Sequence, residues 1–129
     1  MSKIISKENY VDDAEKAINS LRKDDRNGQF YITTSKIRNL MSMSADIYNS
    51  VIAGTEDELT EDDKSRIDYL RVRILYEAGR DRDVKDFVLK TKINDILKEM
   101  DKTKEDYILF YRYMEALVAY HKYYGGRDK

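Results

Sequence analysis

The chain has no cysteine, no proline and no tryptophan, and only five glycines and one histidine in 129 residues. Without cysteine there is no disulfide, no thiolate nucleophile and no thiolate-bound zinc or iron–sulfur centre. The lack of proline and scarcity of glycine disfavour a turn-rich β-architecture and favour long helices with short connections. No stretch approaches the roughly 18–20 apolar residues of a membrane span. The amino-terminal "MSKIISKENY" also lacks the apolar run of a secretory signal. The expectation is a soluble, cytoplasmic protein with no membrane association.

Catalytic motifs are missing as well. The glycines have neither P-loop nor dinucleotide-fingerprint spacing, and there is no Glu-x-x-His or His-Glu-x-x-His pair to mark a metal site. The run "EDELTEDD" (56–63) lacks the alternating ligands and central glycine of an EF-hand, and reads as a solvated loop and helix start. His121 falls on an apolar stripe, where a packed histidine with one hydrogen bond is a simpler reading than a general base. No enzyme activity, cofactor or metal is expected.

What the chain does have is charge in nearly equal amounts. There are 24 Lys and Arg against 25 Asp and Glu, for a formal net charge of −1, so an electrostatic site has to come from segregation. Segregation is present: 56–63 carries six acidic and no basic residues, and 64–85 carries seven basic and four acidic ones.

Hydrophobic periodicity predicts one domain over 1–129, an all-α, compact bundle of about five helices, with 1–7 and 127–129 as flexible ends. Val11, Ala14, Ile18 and Leu21 mark a first helix over about 8–23. It is stopped by "DDRNG", whose Asn27 and Gly28 tolerate positive φ. "QFYI" is too short to assign, but Phe30 and Ile32 are expected against the domain. A second helix begins at Thr33 as N-cap, with Ile32 and Ile37 as a hydrophobic staple. It continues through Leu40, Met41, Ser44, Tyr48, Val51 and Ile52 to a stop at Gly54. Thr60 repeats the cap, and Glu61, Asp62 and Asp63 complement the helix dipole. Ile67, Leu70, Ile74 and Ala78 form the third stripe, with Gly79 as its stop.

A fourth helix over about 83–100 carries Val84, Phe87, Val88, Ile96, Leu97 and Met100, with a bend expected at "TKIN". The last, about 104–124, presents Tyr107, Tyr111, Met114, Leu117, Val118 and His121. Tyr113, Tyr120 and Tyr123 fall off that face, as part core and part contact surface.

Along the third helix, Arg66, Arg73 and Arg80 recur every seven residues, about 10.5 Å per step, with Tyr69 and Tyr76 beside them; Arg71 lies on the opposite flank. Such a row can hold phosphates through forked guanidinium donors. On periodicity alone the favoured reading is that it pairs with Asp68, Glu77, Asp81 or the acidic run while its stems cover the core edge. "TTSKIRNL" has the polar residues of a recognition helix, but 24–32 is too long a connection for a helix-turn-helix.

Three stretches, "ITTSKIRNLM" (32–41), "YLRVRILYEAGR" (69–80) and "YMEALVAYHKYY" (113–124), in this order and spacing, resemble the small helical subunit of the type III-A CRISPR (Csm) interference complex. The resemblance spans about 32–124. It implies a non-catalytic architectural subunit that stacks with copies of itself as an inner filament. Its partners would be guide RNA, target RNA, and the backbone and large subunits, which carry the catalytic activities. By position in the matching stretches it assigns RNA-backbone contact to Lys36, Arg38, Arg71, Arg73 and Arg80, while Arg66 and Arg82 are weaker candidates and Glu115 orients an arginine. A different expectation is a helical interaction module whose basic face docks on a protein, with no RNA contact.

Overall fold

In a computed structural model, which describes residues 3–129, six helices pack around one core. They are α1 (Tyr10–Asn19), α2 (Thr34–Ala53), α3 (Glu61–Arg80), α4 (Arg82–Thr91), α5 (Ile93–Glu99) and α6 (Lys104–Tyr123). Among the described residues there is no strand, only two isolated bridges, Lys23 with Phe30 and Glu58 with Thr103. No helix is long and apolar enough to cross a membrane.

The starts of the long helices follow from threonine caps. The hydroxyls of Thr33, Thr60 and Thr103 accept from the amides of Lys36, Asp63 and Asp106. Each satisfies one of the donors that a helix end leaves open. The staple pair Ile32 and Ile37 is buried, as is Phe30, so the 24–32 connection is pinned at its far end. Within it Asp24 N–H donates to Gln29 at 2.8 Å, and Gly28 turns the chain with φ +72°.

Six helices replace the five expected because the segment 83–100 breaks in two. Lys92 is left-handed (φ 61°, ψ 25°), at the place where "TKIN" weakens the periodicity, and the Thr91 hydroxyl turns back onto Phe87 C=O at 2.7 Å. A non-glycine residue holds that conformation because Val88, Thr91, Ile93 and Ile96 are buried on both sides of the break.

Three further expectations change. The first helix is shorter than 8–23, and Val11 is exposed: burial passes to Ala14, Ala17 and Ile18, with Leu21 just beyond the helix. Gly79 does not stop α3, which runs to Arg80; extended Asp81 ends it because the Asp81 side chain caps α4. Ile52, assigned to the face of α2, is exposed.

Helix α6 packs against both α2 and α1, with further contact to α5, while α3 packs on α2, α4 and α5. Two-sided packing is why α6 buries more than one stripe. Phe110 and Tyr113, outside the face the periodicity selected, are buried with Tyr107, Met114 and Leu117. The phenols remain satisfied: Tyr107 donates to Ser44 C=O at 2.8 Å and Tyr113 to Thr91 C=O at 2.9 Å, and burial pushes both pKa values up.

Described residues near both chain ends are tied to this core. Of the segments 1–7 and 127–129, residues 1 and 2 lie outside the described residues. Ile5 is buried, and Ile4 N–H donates to Glu99 at 2.9 Å. At the other end Thr34 N–H donates to Arg127 C=O at 2.8 Å, so the tail caps α2. Beneath it His121 is fully buried and bonded at both ring nitrogens, where the sequence suggested one bond. Nε2 faces the Ile32 carbonyl at 2.9 Å and therefore carries the proton, which leaves Nδ1 to accept from the Thr34 hydroxyl at 3.2 Å. Gly126 lies so close that a Cβ there would sit 2.1 Å from the ring.

Replacing Gly126 by alanine is therefore expected to destabilise the fold by about 1–3 kcal/mol through overpacking, measurable by thermal unfolding. A pH dependence follows from the histidine itself, because burial lowers its pKa below the ordinary 6.5. As pH falls through 6.5 the unfolded chain takes up the proton first, so stability is full above that value and declines below it, by at most about 1.4 kcal/mol per pH unit. Urea unfolding from about pH 7.5 to about 5.5 should show this decline in the natural chain and a flatter profile in His121→Gln.

Candidate nucleic-acid interface

Helices α2 and α3 run antiparallel, tied near both ends. At one end the Ser50 hydroxyl donates to buried Asp63 at 2.8 Å; at the other the Lys36 ammonium meets Asp81 at 2.8 Å and Asp83 at 3.8 Å. This register lays the outward residues Ser35, Asn39, Ser42 and Asp46, spaced four, three and four apart, along the outward row of α3. An open seam results, with two recesses. The larger, about 550 Å³, has Ser42, Met43 and Asp46 on one wall and Arg66, Tyr69 and Arg73 on the other. The smaller, about 260 Å³, holds Lys36, Asn39, Glu77, Arg80 and Asp81.

The five candidates fall into different settings. Arg73 is exposed on the wall of the larger recess, and among the described residues no carboxylate lies within ion-pair distance of it. Arg80 and Lys36 share the smaller recess with acids. The Arg80 Nε donates to Glu77 at 3.2 Å and its guanidinium stands 5.8 Å from the Tyr76 ring centroid. Glu77 beside it raises the Arg80 pKa, keeping the guanidinium charged. The bond from Lys36 holds the Asp81 carboxyl below the usual range, reinforced by the amides of Val84 and Asp83.

Arg38 and Arg71 are not part of the seam. Arg38 is exposed on α2 toward the tail, where its charge helps lower the Asp128 pKa, although Lys122 is the main cause. Arg71 stands about 140° around α3 from Arg66. It is half-buried, 3.5 Å from Asp68, and its buried Nε has no partner. The structure thus brings Lys36, Arg73 and Arg80 to one side of the α2–α3 pair and sets the other two on separate flanks.

Arg66, ranked low on sequence, lies in the larger recess and is likewise without an acid partner among the described residues. Its helical angle beside Arg73 was the available signal. Ser42, Met43 and Asp46 had none, because their placement depends on the register between two helices.

Exposed pairs such as Arg80–Glu77 contribute little to stability and can be exchanged for a better anion. Chemically the seam offers forked donors, aromatic rings and small polar groups. Among the described residues no three potential metal-ligating side chains cluster.

Fold and surface define a small all-α protein with one open, arginine- and tyrosine-edged seam. A family model described as Csm2 Type III-A matches residues 7–127. Two relatives carrying the name CRISPR system Cms protein Csm2 align over 125 residues, 97% of this chain and 98% of their own length. The one from Streptococcus thermophilus is 47% identical, and the one from Mycobacterium tuberculosis strain H37Rv is 36% identical. A protein of the same name from Enterococcus italicus is 36% identical over 99 residues, 75% of this chain and 71% of its own. The chain belongs to the Csm2 type III-A family.

Asp81 serves both the seam and the fold, which separates its roles by substitution. Asp81→Ala should cost about 1 kcal/mol by removing the α4 cap. Asp81→Asn should keep most of that stability while leaving Lys36 only Asp83, at 3.8 Å; paired thermal melts compare the two.

Proposed function

We propose that the protein is a non-catalytic, cytoplasmic subunit of a type III-A CRISPR ribonucleoprotein that holds guide or target RNA by its backbone along the α2–α3 seam. Family membership supports the complex. The observation that carries the RNA contact is the pair Arg66 and Arg73, neither with a carboxylate within ion-pair distance among the described residues, in an open recess beside exposed Tyr69. Free guanidiniums in a chain of net charge −1 retain the cationic potential that a phosphate needs. Arg80 and Lys36 extend the row by exchanging Glu77 and Asp81 for phosphate. Arg38 and Arg71 stay in the proposal as contacts outside the seam, where a strand leaves it or a second strand passes.

Stacking with copies of itself and docking on backbone and large subunits belong to the same proposal. They are supported by an exposed ridge on the outer face of α3, formed by Tyr69, Val72, Leu75 and Tyr76. Exposed apolar ridges of this kind suit protein contact. The same ridge favours the second reading, an interaction module without RNA contact.

Neutralisation of four phosphates of a single strand by Lys36, Arg66, Arg73 and Arg80 along the seam predicts a slope of about −2.8 for log K against log salt. In the double variant Arg66→Ala with Arg73→Ala the slope should fall to about −1.4. Fluorescence titration of single-stranded RNA with the full chain measures both. An unchanged slope and affinity in the double variant, with target-stimulated activity of the assembled complex also unchanged, contradicts the assignment.

A further inference from the structure

We infer that the larger recess of the seam seats one unstacked base of the bound strand, so that the protein grips a nucleotide as well as its phosphates. This rests on the RNA-binding reading and goes beyond it. Phosphate contact alone needs cations on a surface, and Arg80 at the end of the same row shows what that looks like. The recess beside Arg66 and Arg73 is built differently. It is an open recess of about 550 Å³ whose lining includes apolar Met43 and the nearly buried Ile47 and Leu70 between its polar residues. Tyr69 stands on the wall between the two arginines, three residues after one and four before the other, largely exposed and with no ring partner among the described aromatic pairs.

A flat apolar body with an anionic flank is the shape and charge that match this surface. A nucleobase laid against Tyr69 beside the apolar lining leaves its flanking phosphates toward Arg66 and Arg73, which lie about 10.5 Å apart along the helix. The opposite wall adds direction. Asp46 and Ser42 face the arginines across the recess, and the Asp46 carboxylate accepts hydrogen bonds only. It therefore suits a base with an exocyclic amino group, such as cytosine, and meets the O4 carbonyl of uracil unfavourably. The ligand assigned is one amino-bearing nucleotide, displaced from its stack.

The test compares three single-stranded probes of equal length, oligocytidine, oligouridine and an abasic ribose–phosphate strand, bound to the full chain and to the reconstituted complex. Equal phosphate number gives all three the same salt slope. The account expects oligocytidine to bind at least about fivefold more tightly than the abasic strand, and more tightly than oligouridine. Tyr69→Ala should remove the advantage of base over no base, and Asp46→Asn should remove the difference between cytidine and uridine, both at an unchanged slope. Tyr69 and Asp46 are exposed, so neither change should disturb folding.

Equal affinity for oligocytidine and the abasic strand overturns the base site while leaving the phosphate row standing. Absence of RNA binding in chain and complex overturns the phosphate row, and the base site with it. Loss of complex assembly in Tyr69→Ala with RNA affinity intact means that Tyr69 serves the protein-contact ridge of α3 and no base, which also overturns the inference.

Discussion

The antiparallel pairing of α2 with α3 is the constraint on which the seam depends. Its register is held at one end by the Ser50–Asp63 hydrogen bond and at the other by Lys36 against Asp81. A shift of α2 by one residue turns its outward row by about 100°, and Ser42 and Asp46 would then no longer face Arg66 and Arg73. Each tie is anchored by a helix start. Asp63 sits in the first turn that Thr60 caps, and Asp81 is itself the cap of α4. The elements that fold the protein locally therefore also set the geometry of its surface.

Helix α6 supports that pairing from beneath. It packs against α2 and α1 and contributes Tyr107 and Phe110 to the large buried side chains of the core, with the Tyr107 hydroxyl reaching the backbone of α2 at Ser44. The tail closes the other end, where Gly126 and His121 fix the entry of α2 through Ile32 and Thr34. Core and seam are consequently coupled. Loosening the His121 cluster would displace the first turn of α2, which carries Lys36.

Local signals made much of the fold legible in the sequence. The Thr33 and Thr60 caps, the Ile32–Ile37 staple and the third stripe are encoded within a few neighbouring residues, and the structure has them. Tertiary competition was not legible. Gly79 is a good helix stop in isolation, but Asp81 is needed to cap the next helix. Tyr113 leaves the stripe of α6, but that helix is covered on two sides. Among the charged candidates, helical angle was enough to group Arg73 with Arg80 and separate Arg71. It said nothing about which arginines would find acids, since Glu77 reaches Arg80 and no acid reaches Arg66 or Arg73 among the described residues. That compensation shifts attention from the carboxy-terminal end of α3 to its middle.

The central claim is that RNA lies along the α2–α3 seam. The most direct measurement is photocrosslinking of target RNA carrying photoreactive bases within the assembled ribonucleoprotein, with the crosslinked residues of this subunit mapped by mass spectrometry. The account predicts crosslinks at Tyr69 and in the facing stretch from Ser42 to Asp46. Crosslinks confined to the α1 and tail side, around Tyr123 and Tyr124, or none to this subunit in an assembly that binds target, would contradict it.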